Sequence, residues 1–197
     1  DLLSTDAPAP GGGSVAALCT AMSGALTAMV SNLTVDKKGY EKVKDTVLDL
    51  AEKAQVIKEK ALQGIDKDTD AFNLMMDAMR LPKKTEDEIT LRNAKMEEST
   101  QKAILVPFET LELSLEAVRL SQQVAAVGNL NALSDAGVGA LTALAGAKAA
   151  YYNILINLKG ITTQTFIDDM LTKSAALITE IESVAVAVEQ DITNRLK

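Results

Sequence analysis

Between Asp6 and Asp36 the chain carries no charged residue, and Val15 to Leu33 alone is long enough to cross a bilayer. A segment that is apolar all round has two outlets, a membrane or the middle of a protein interior. Ser14, Thr20, Ser23, Thr27, Ser31 and Asn32 interrupt this one, and no aromatic residues flank it. The three glycines that precede it do not resemble the basic start of a signal peptide. We therefore read it as a core helix, not a membrane span, which obliges the rest of the chain to surround it.

A second such segment exists. Asp135 is the only charge between Arg119 and Lys148, in a stretch rich in Ala and Gly. Ala145, Ala147, Ala149 and Ala150 allow close approach of helix backbones. Everywhere else the favoured residues are Ala, Leu, Lys, Glu and Met, with three Phe, three Tyr and no Trp. These are helix formers and not strand formers. The expected fold is all-α: one domain over residues 1–197, an up-and-down bundle of about five helices, two of them long, with the Ala/Gly-rich helices buried.

Five helices can be placed. The first spans roughly 14–34 and the second 40–79, where Val43, Val47, Leu50, Ala54, Ile57, Ala61 and Ile65 alternate steps of four and three as in a coiled-coil seam. Leu81-Pro82-Lys83-Lys84 breaks the pattern, and Thr85 with Glu88 forms a capping box that starts the third helix. That helix runs to about Val127, with a kink expected at Pro107. The fourth runs from about Asp135 to Leu158, and Thr162 or Thr163 is expected to cap the last. Three partners leave two such apolar helices incompletely covered, so a homo-oligomer is expected. The chain opens on Asp1 and not Met, as expected of a processed, trimmed or excised sequence.

Composition excludes several chemistries. No histidine is present, which removes every Ser-His or Cys-His mechanism and the commonest metal ligand, so no metal site is expected. The net charge of −7 argues against a nucleic-acid partner. Cys19 has no second cysteine to pair with, consistent with a reducing, cytoplasmic setting. Acid–base work must come from carboxylates, lysines, tyrosines or the substrate.

The candidate residues fall in four places. Gly11, Gly12, Gly13 and Ser14 follow Pro8-Ala9-Pro10 and lead into the first helix; free amides there can cradle an anion or a developing negative charge, or form a plain leader capped by Ser14. In Asp66-Lys67-Asp68-Thr69-Asp70, helical geometry puts Asp66 and Asp70 on one face and Asp68 almost opposite. Asp68 is thus the carboxylate expected to face inward and move protons, against the alternative that all three are solvated. Asp135 is either a helix cap or a hook for a ligand. Asn153 and Asn157 lie one turn apart and either line a polar pocket or satisfy backbone groups. Lys37 and Lys38, beside Tyr40, either receive an anionic tail or simply aid solubility.

Taken together, Pro8-Ala9-Pro10-Gly11-Gly12-Gly13-Ser14, Asp66-Lys67-Asp68 with Ala71-Phe72, Leu81-Pro82-Lys83, Val106-Pro107, Gly128-Asn129 with Ser134-Asp135, and Ile156-Asn157-Leu158 resemble the cyclodeaminase domain of formiminotransferase-cyclodeaminase and its stand-alone relatives. The resemblance extends over essentially the whole chain. It implies an all-helical homodimer that binds tetrahydrofolate, with no cofactor beyond that substrate. The implied reaction cyclises 5-formiminotetrahydrofolate to 5,10-methenyltetrahydrofolate with loss of ammonia, a step of histidine degradation. A glutamate formiminotransferase domain or protein is the implied companion. Methenyltetrahydrofolate cyclohydrolase, a relative of the same fold, and a non-catalytic helical binding module are the alternatives. On this reading Asp68 transfers the proton. Asp135 is its partner or holds the pterin, and the two share a cavity, within one chain or across a dimer interface. Gly11, Gly12, Gly13 and Ser14 wall the folate, and Lys37 and Lys38 attract its glutamate tail.

Overall fold

The computed structural model describes residues 2–197 as five α-helices joined by short connections. They are α1 (Gly12–Val35), α2 (Lys44–Arg80), α3 (Glu86–Val127), α4 (Leu133–Leu158) and α5 (Gln164–Leu196), and no strand occurs among the described residues. Helix α1 packs against α2, α3 and α4, while α5 closes the far side by packing on α3 and α4.

Small residues explain how α1 can sit so deep. A Cβ on Gly24 would stand 2.8 Å from the Ala54 carbonyl oxygen of α2, and one on Gly146 would stand 2.9 Å from the Ala16 carbonyl oxygen. Backbones meet there with nothing between them. Several of the hydroxyls that interrupt the apolar run are used inside, Ser31 Oγ being buried without a partner among the described residues: Thr20 bonds Ser114 at 2.8 Å, and Thr27 bonds Ser121 at 2.9 Å, linking α1 to α3. In hydrocarbon these groups would have to be satisfied within α1 itself; here α3 provides their partners. Helix α1 is the one described helix long and apolar enough to cross a membrane, and it is packed within the bundle.

The α2 seam is buried at Val47, Leu50, Ala54, Ile57 and Ala61, facing α1 and α3. The capping box forms as expected, with Glu88 N donating to Thr85 Oγ1 and Thr85 N to Glu88 Oε2, both at 3.2 Å. Helix α3 continues through Pro107. The start of α5 differs from expectation. Neither Thr162 nor Thr163 caps it through its hydroxyl; the Glu97 carboxylate of α3 accepts from both of their backbone amides, at 3.0 and 3.1 Å.

One face is left open. Leu18, Met22, Met29 and Leu33 of α1 are each more than a third exposed, and Val138, Leu141 and Tyr152 of neighbouring α4 are also exposed.

Candidate active site

Helix α1 begins at Gly12 with Gly11 at its cap, and no side chain caps it. Ser14 is therefore free for another task. Its hydroxyl donates to Asp68 Oδ2 at 2.8 Å, spanning α1 to α2, and Ser14 itself is buried. Asp66 and Asp70 are exposed, whereas Asp68 is half-buried and faces α1, as its place on the helix requires. The carboxylate lies directly over Gly13: a Cβ there would stand 2.0 Å from Oδ1 and 2.5 Å from Cγ. Only glycine leaves room for Asp68 at this spot.

Helix α4 supplies the opposite wall. Asn153 Nδ2 donates to the Ala149 carbonyl at 2.8 Å, and Asn157 Nδ2 donates to the Ala103 carbonyl of α3 at 3.1 Å. Pro107 accounts for the second bond. Ala103 is four residues before Pro107, and proline has no N–H to offer that carbonyl. The oxygen left over in the middle of α3 becomes the anchor for Asn157. Because a carbonyl can only accept, both bonds fix the amide orientation and leave each Oδ1 without a protein partner among the described residues.

These groups surround a cavity of about 230 Å³ lined by Pro8, Ala9, Gly11, Gly12, Gly13, Asp68, Phe72, Met75, Ala103, Asn153 and Asn157. Its polar edge is a carboxylate and two amide oxygens, so it favours a ligand rich in N–H donors. Phe72 and Met75 give it an apolar floor suited to a flat ring. Met75 reads from sequence as core filler, and Ala103 carries no chemical signal; both become visible only when α2, α3 and α4 are set side by side. Among the described residues no group of three Cys, Asp or Glu side chains could hold a metal.

The remaining candidates lie elsewhere. Asp135 is in the first turn of α4, where its charge faces the positive end of the helix dipole. It is separated from Asn153 by about 27 Å of helix axis. Within one chain Asp68 and Asp135 therefore do not share a cavity, so the expected convergence is left only across a dimer interface. Lys37 and Lys38 follow the C-terminal end of α1, about 31 Å along the axis from Ser14. They too are absent from the cavity. At their end, Asn129 donates from its backbone to Thr34 Oγ1 at 2.9 Å and from Nδ2 to the Leu33 carbonyl at 3.3 Å, and Leu130 N donates to the Tyr40 hydroxyl at 3.1 Å. Gly128-Asn129 and Tyr40 thus tie down the far end of α1. The candidates form two groups, one at each end of the bundle.

Comparison with known proteins identifies the family. Residues 1–176 match the family described as formiminotransferase-cyclodeaminase. The chain belongs to that family. A methenyltetrahydrofolate cyclohydrolase of Methylorubrum extorquens is 38% identical over 91% of this chain and 86% of its own length. The formimidoyltransferase-cyclodeaminase of Rattus norvegicus is 32% identical over 91% of this chain but only 33% of that protein, so the chain spans about a third of the two-activity relatives. A crystal structure of formiminotetrahydrofolate cyclodeaminase from Thermotoga maritima superposes with a TM-score of 0.89 at 28% identity, covering 100% of this chain and 94% of the other.

Proposed function

We propose that the chain acts on the one-carbon unit bridging N5 and N10 of tetrahydrofolate, as a formiminotetrahydrofolate cyclodeaminase. The observation that carries this reading is the Ser14–Asp68 pair held over Gly13 at the edge of a ring-sized cavity. The acceptor oxygens of Asn153 and Asn157 suit the N–H groups of a pterin. Family membership and the relatives' names support the same substrate class.

The reaction fits a site with one carboxylate and no histidine. N10 attacks the carbon of the protonated formimino group, giving a tetrahedral carbon that bears an amino group. Asp68 takes the proton from N10 and delivers it to that amino group, which leaves as ammonia. The carbon–nitrogen bond breaks, the methenyl bridge remains, and the carboxylate ends as it began. Ser14 holds one Asp68 oxygen and leaves the other for the exchange. The folate supplies the nucleophile, so the protein's main contribution is to hold N10 near the carbon.

A second reading has its own support in the 38% identity to a cyclohydrolase of similar length. There, water attacks the methenyl carbon and Asp68 accepts one of its protons, which passes to N5 as the bond to N5 breaks; the remaining hydroxyl proton is released to solvent, leaving the formyl group on N10. The same cavity serves both reactions; they differ in whether water or N10 attacks.

An ultraviolet assay separates them. With 5-formiminotetrahydrofolate the expected outcome is methenyl product and ammonia in equal amounts. Loss of supplied methenyltetrahydrofolate without ammonia chemistry moves the assignment to the hydrolase. Silence on both substrates rejects the proposal. In either active case Asp68→Asn should lower kcat by about 10²-fold or more, the usual weight of a positioned acid–base group. Undiminished turnover would remove Asp68 from the chemistry. Pairing with a second copy in the cytoplasm, with no nucleic-acid or membrane partner, belongs to the same proposal.

A further inference from the structure

The cavity is electrostatically one-sided. Asp68 is the only charged residue lining it among those described, whereas a folate carries a benzoyl-glutamate arm that ends in carboxylates. Lys37 and Lys38, expected to meet that arm, stand beyond the other end of α1, about 31 Å along its axis from Ser14. A cation for the arm has to be sought around the cavity itself. Lys67 adjoins Asp68 in sequence, but it turns to another groove, where Glu109 of α3 holds it at 2.8 Å.

A second groove opens beside the cavity, between the last turns of α2 and the helix α3 that returns along it. It holds about 310 Å³ and is bounded by Leu74, Ala78 and Leu81 at the end of α2 and by Lys95, Glu98 and Lys102 on α3. The two hollows are neighbours on both helices. Met75 borders the cavity, and Ala78, one turn on, borders the groove; Ala103 borders the cavity, and Ser99, one turn back, borders the groove. One turn is about 5 Å, so the hollows succeed one another along the same pair of helices.

The groove offers what the cavity lacks. Its α2 wall is apolar, and Leu74 is exposed there. Its α3 rim is cationic: Lys95 and Lys102 both donate to Glu98, each at 2.9 Å. Two ammonium groups thus share one carboxylate, which leaves a positive charge in excess and N–H donors to spare. Asp77, the other carboxylate at the groove, is paired with Arg80 at 3.2 Å. In a folate, a benzoyl ring and an amide separate N10 from the first carboxylate, a span of about two helical turns. Lys102 is next to Ala103 in sequence, and Lys95 lies about 12 Å along α3 from Ala103. A ring resting on Leu74 and Ala78 therefore brings that carboxylate to the lysines.

We infer that this groove is the subsite for the benzoyl-glutamate arm: Leu74, Ala78 and Leu81 cover the ring, and Lys95 and Lys102, held ready by Glu98, take its carboxylates. The inference rests on the folate reading and assigns the part of the substrate that the cavity leaves outside. It also gives the Leu81-Pro82-Lys83 segment a role, since Leu81 caps the end of α2 and forms the far wall of the groove.

Truncating the substrate and the protein together tests it. Turnover is measured on a tetrahydropteroate, which lacks glutamate, and on the matching tetrahydropteroylglutamate, both carrying the same formimino or methenyl group. Each is given to the wild type and to Lys95→Ala/Lys102→Ala. The wild type should prefer the glutamate-bearing substrate in kcat/KM, and the preference should shrink as salt is raised. In the variant the preference should fall by about fivefold, the scale of exposed charge pairs, and most of its salt dependence should go with it. Equal losses on both substrates would make the lysines structural only and overturn the subsite, as would a preference that survives in this variant. Lys37→Ala/Lys38→Ala should keep the preference; its collapse there would hand the arm to those lysines and overturn the subsite too. A wild type that turns over both substrates without preference rejects the subsite and leaves the folate reading standing. Silence on both substrates removes the folate reading, and the subsite with it.

Discussion

Gly13 and Pro107 show how residues without reactive groups can set the position of those that have them. A methyl at Gly13 would stand 2.0 Å from Asp68 Oδ1, so Gly13→Ala must move the carboxylate away from Ser14. The carboxylate ends a short side chain that can turn, and Gly13 is helical, so the fold should tolerate the change and even gain up to about 1 kcal/mol of helix propensity. Activity should move the other way, with kcat falling by about 10²-fold, as expected of a displacement near 1 Å at a reacting group. Melting temperature and turnover measured on the same sample would check that separation; a drop in both would make Gly13 a packing residue only. Pro107→Ala follows the same logic. It restores an amide that competes with Asn157 for the Ala103 carbonyl. The variant should be at least as stable as wild type yet bind folate more weakly, seen as a higher KM. The inward face of Asp68 was legible from helical spacing alone. The anchoring of Asn157 was not, because it depends on a carbonyl freed on a different helix.

The elements are joined by caps, and two of them contrast. The Thr85–Glu88 box is local, with both partners within one turn, and could be read directly from the sequence. The start of α5 is capped by Glu97, far back on α3, and no local pattern announces it. Partial burial of Glu97 works against its charge. Donors from the backbones and hydroxyls of Thr162 and Thr163 outweigh that cost and hold the carboxyl at about 2, against an ordinary 4.5. A carboxyl depressed on folding stabilises the native state fully above its unfolded value, and that contribution is lost as pH falls through the folded value. Glu97→Gln keeps an acceptor oxygen but removes the charge. The variant should therefore melt lower than wild type at pH 6–7, and the gap should narrow between about pH 4.5 and pH 2. Melting curves of both proteins across that range decide it; a gap independent of pH would mean that shape, and not charge, makes the cap. The loop held by Glu97 follows directly on the α4 end that bears Asn153 and Asn157, so this cap also braces one wall of the cavity.

At the scale of the molecule, the absence of charge that forces α1 inward also leaves its outer face apolar. Helices α2, α3 and α4 cover three sides, and the fourth is the open apolar stripe. The all-helical bundle, its five members and their order could be read from charge and periodicity, because each signal is repeated over many turns of helix. The joining of Asp68 to the Gly segment is a long-range contact that the spacing of residues only narrows. Which copy's Lys37, Lys38 and Asp135 would stand near Asp68 was not legible, because straight helices keep the residues at the two ends of one chain apart. If two copies share the work, their stability depends on concentration. Folding and association are then linked, and a tenfold rise in protein concentration adds about 1.4 kcal/mol to the stability of each pair. Spread over two chains of this size, that raises the melting temperature by about 2 °C. Met22→Glu places a carboxylate in the stripe, where an exposed position tolerates it in the single chain but apolar contact with a second copy would not. The variant should melt at a temperature independent of concentration, elute as a single chain and lose folate turnover while keeping its helical signal. A concentration-independent melting temperature in the wild type would instead mean that each chain stands alone.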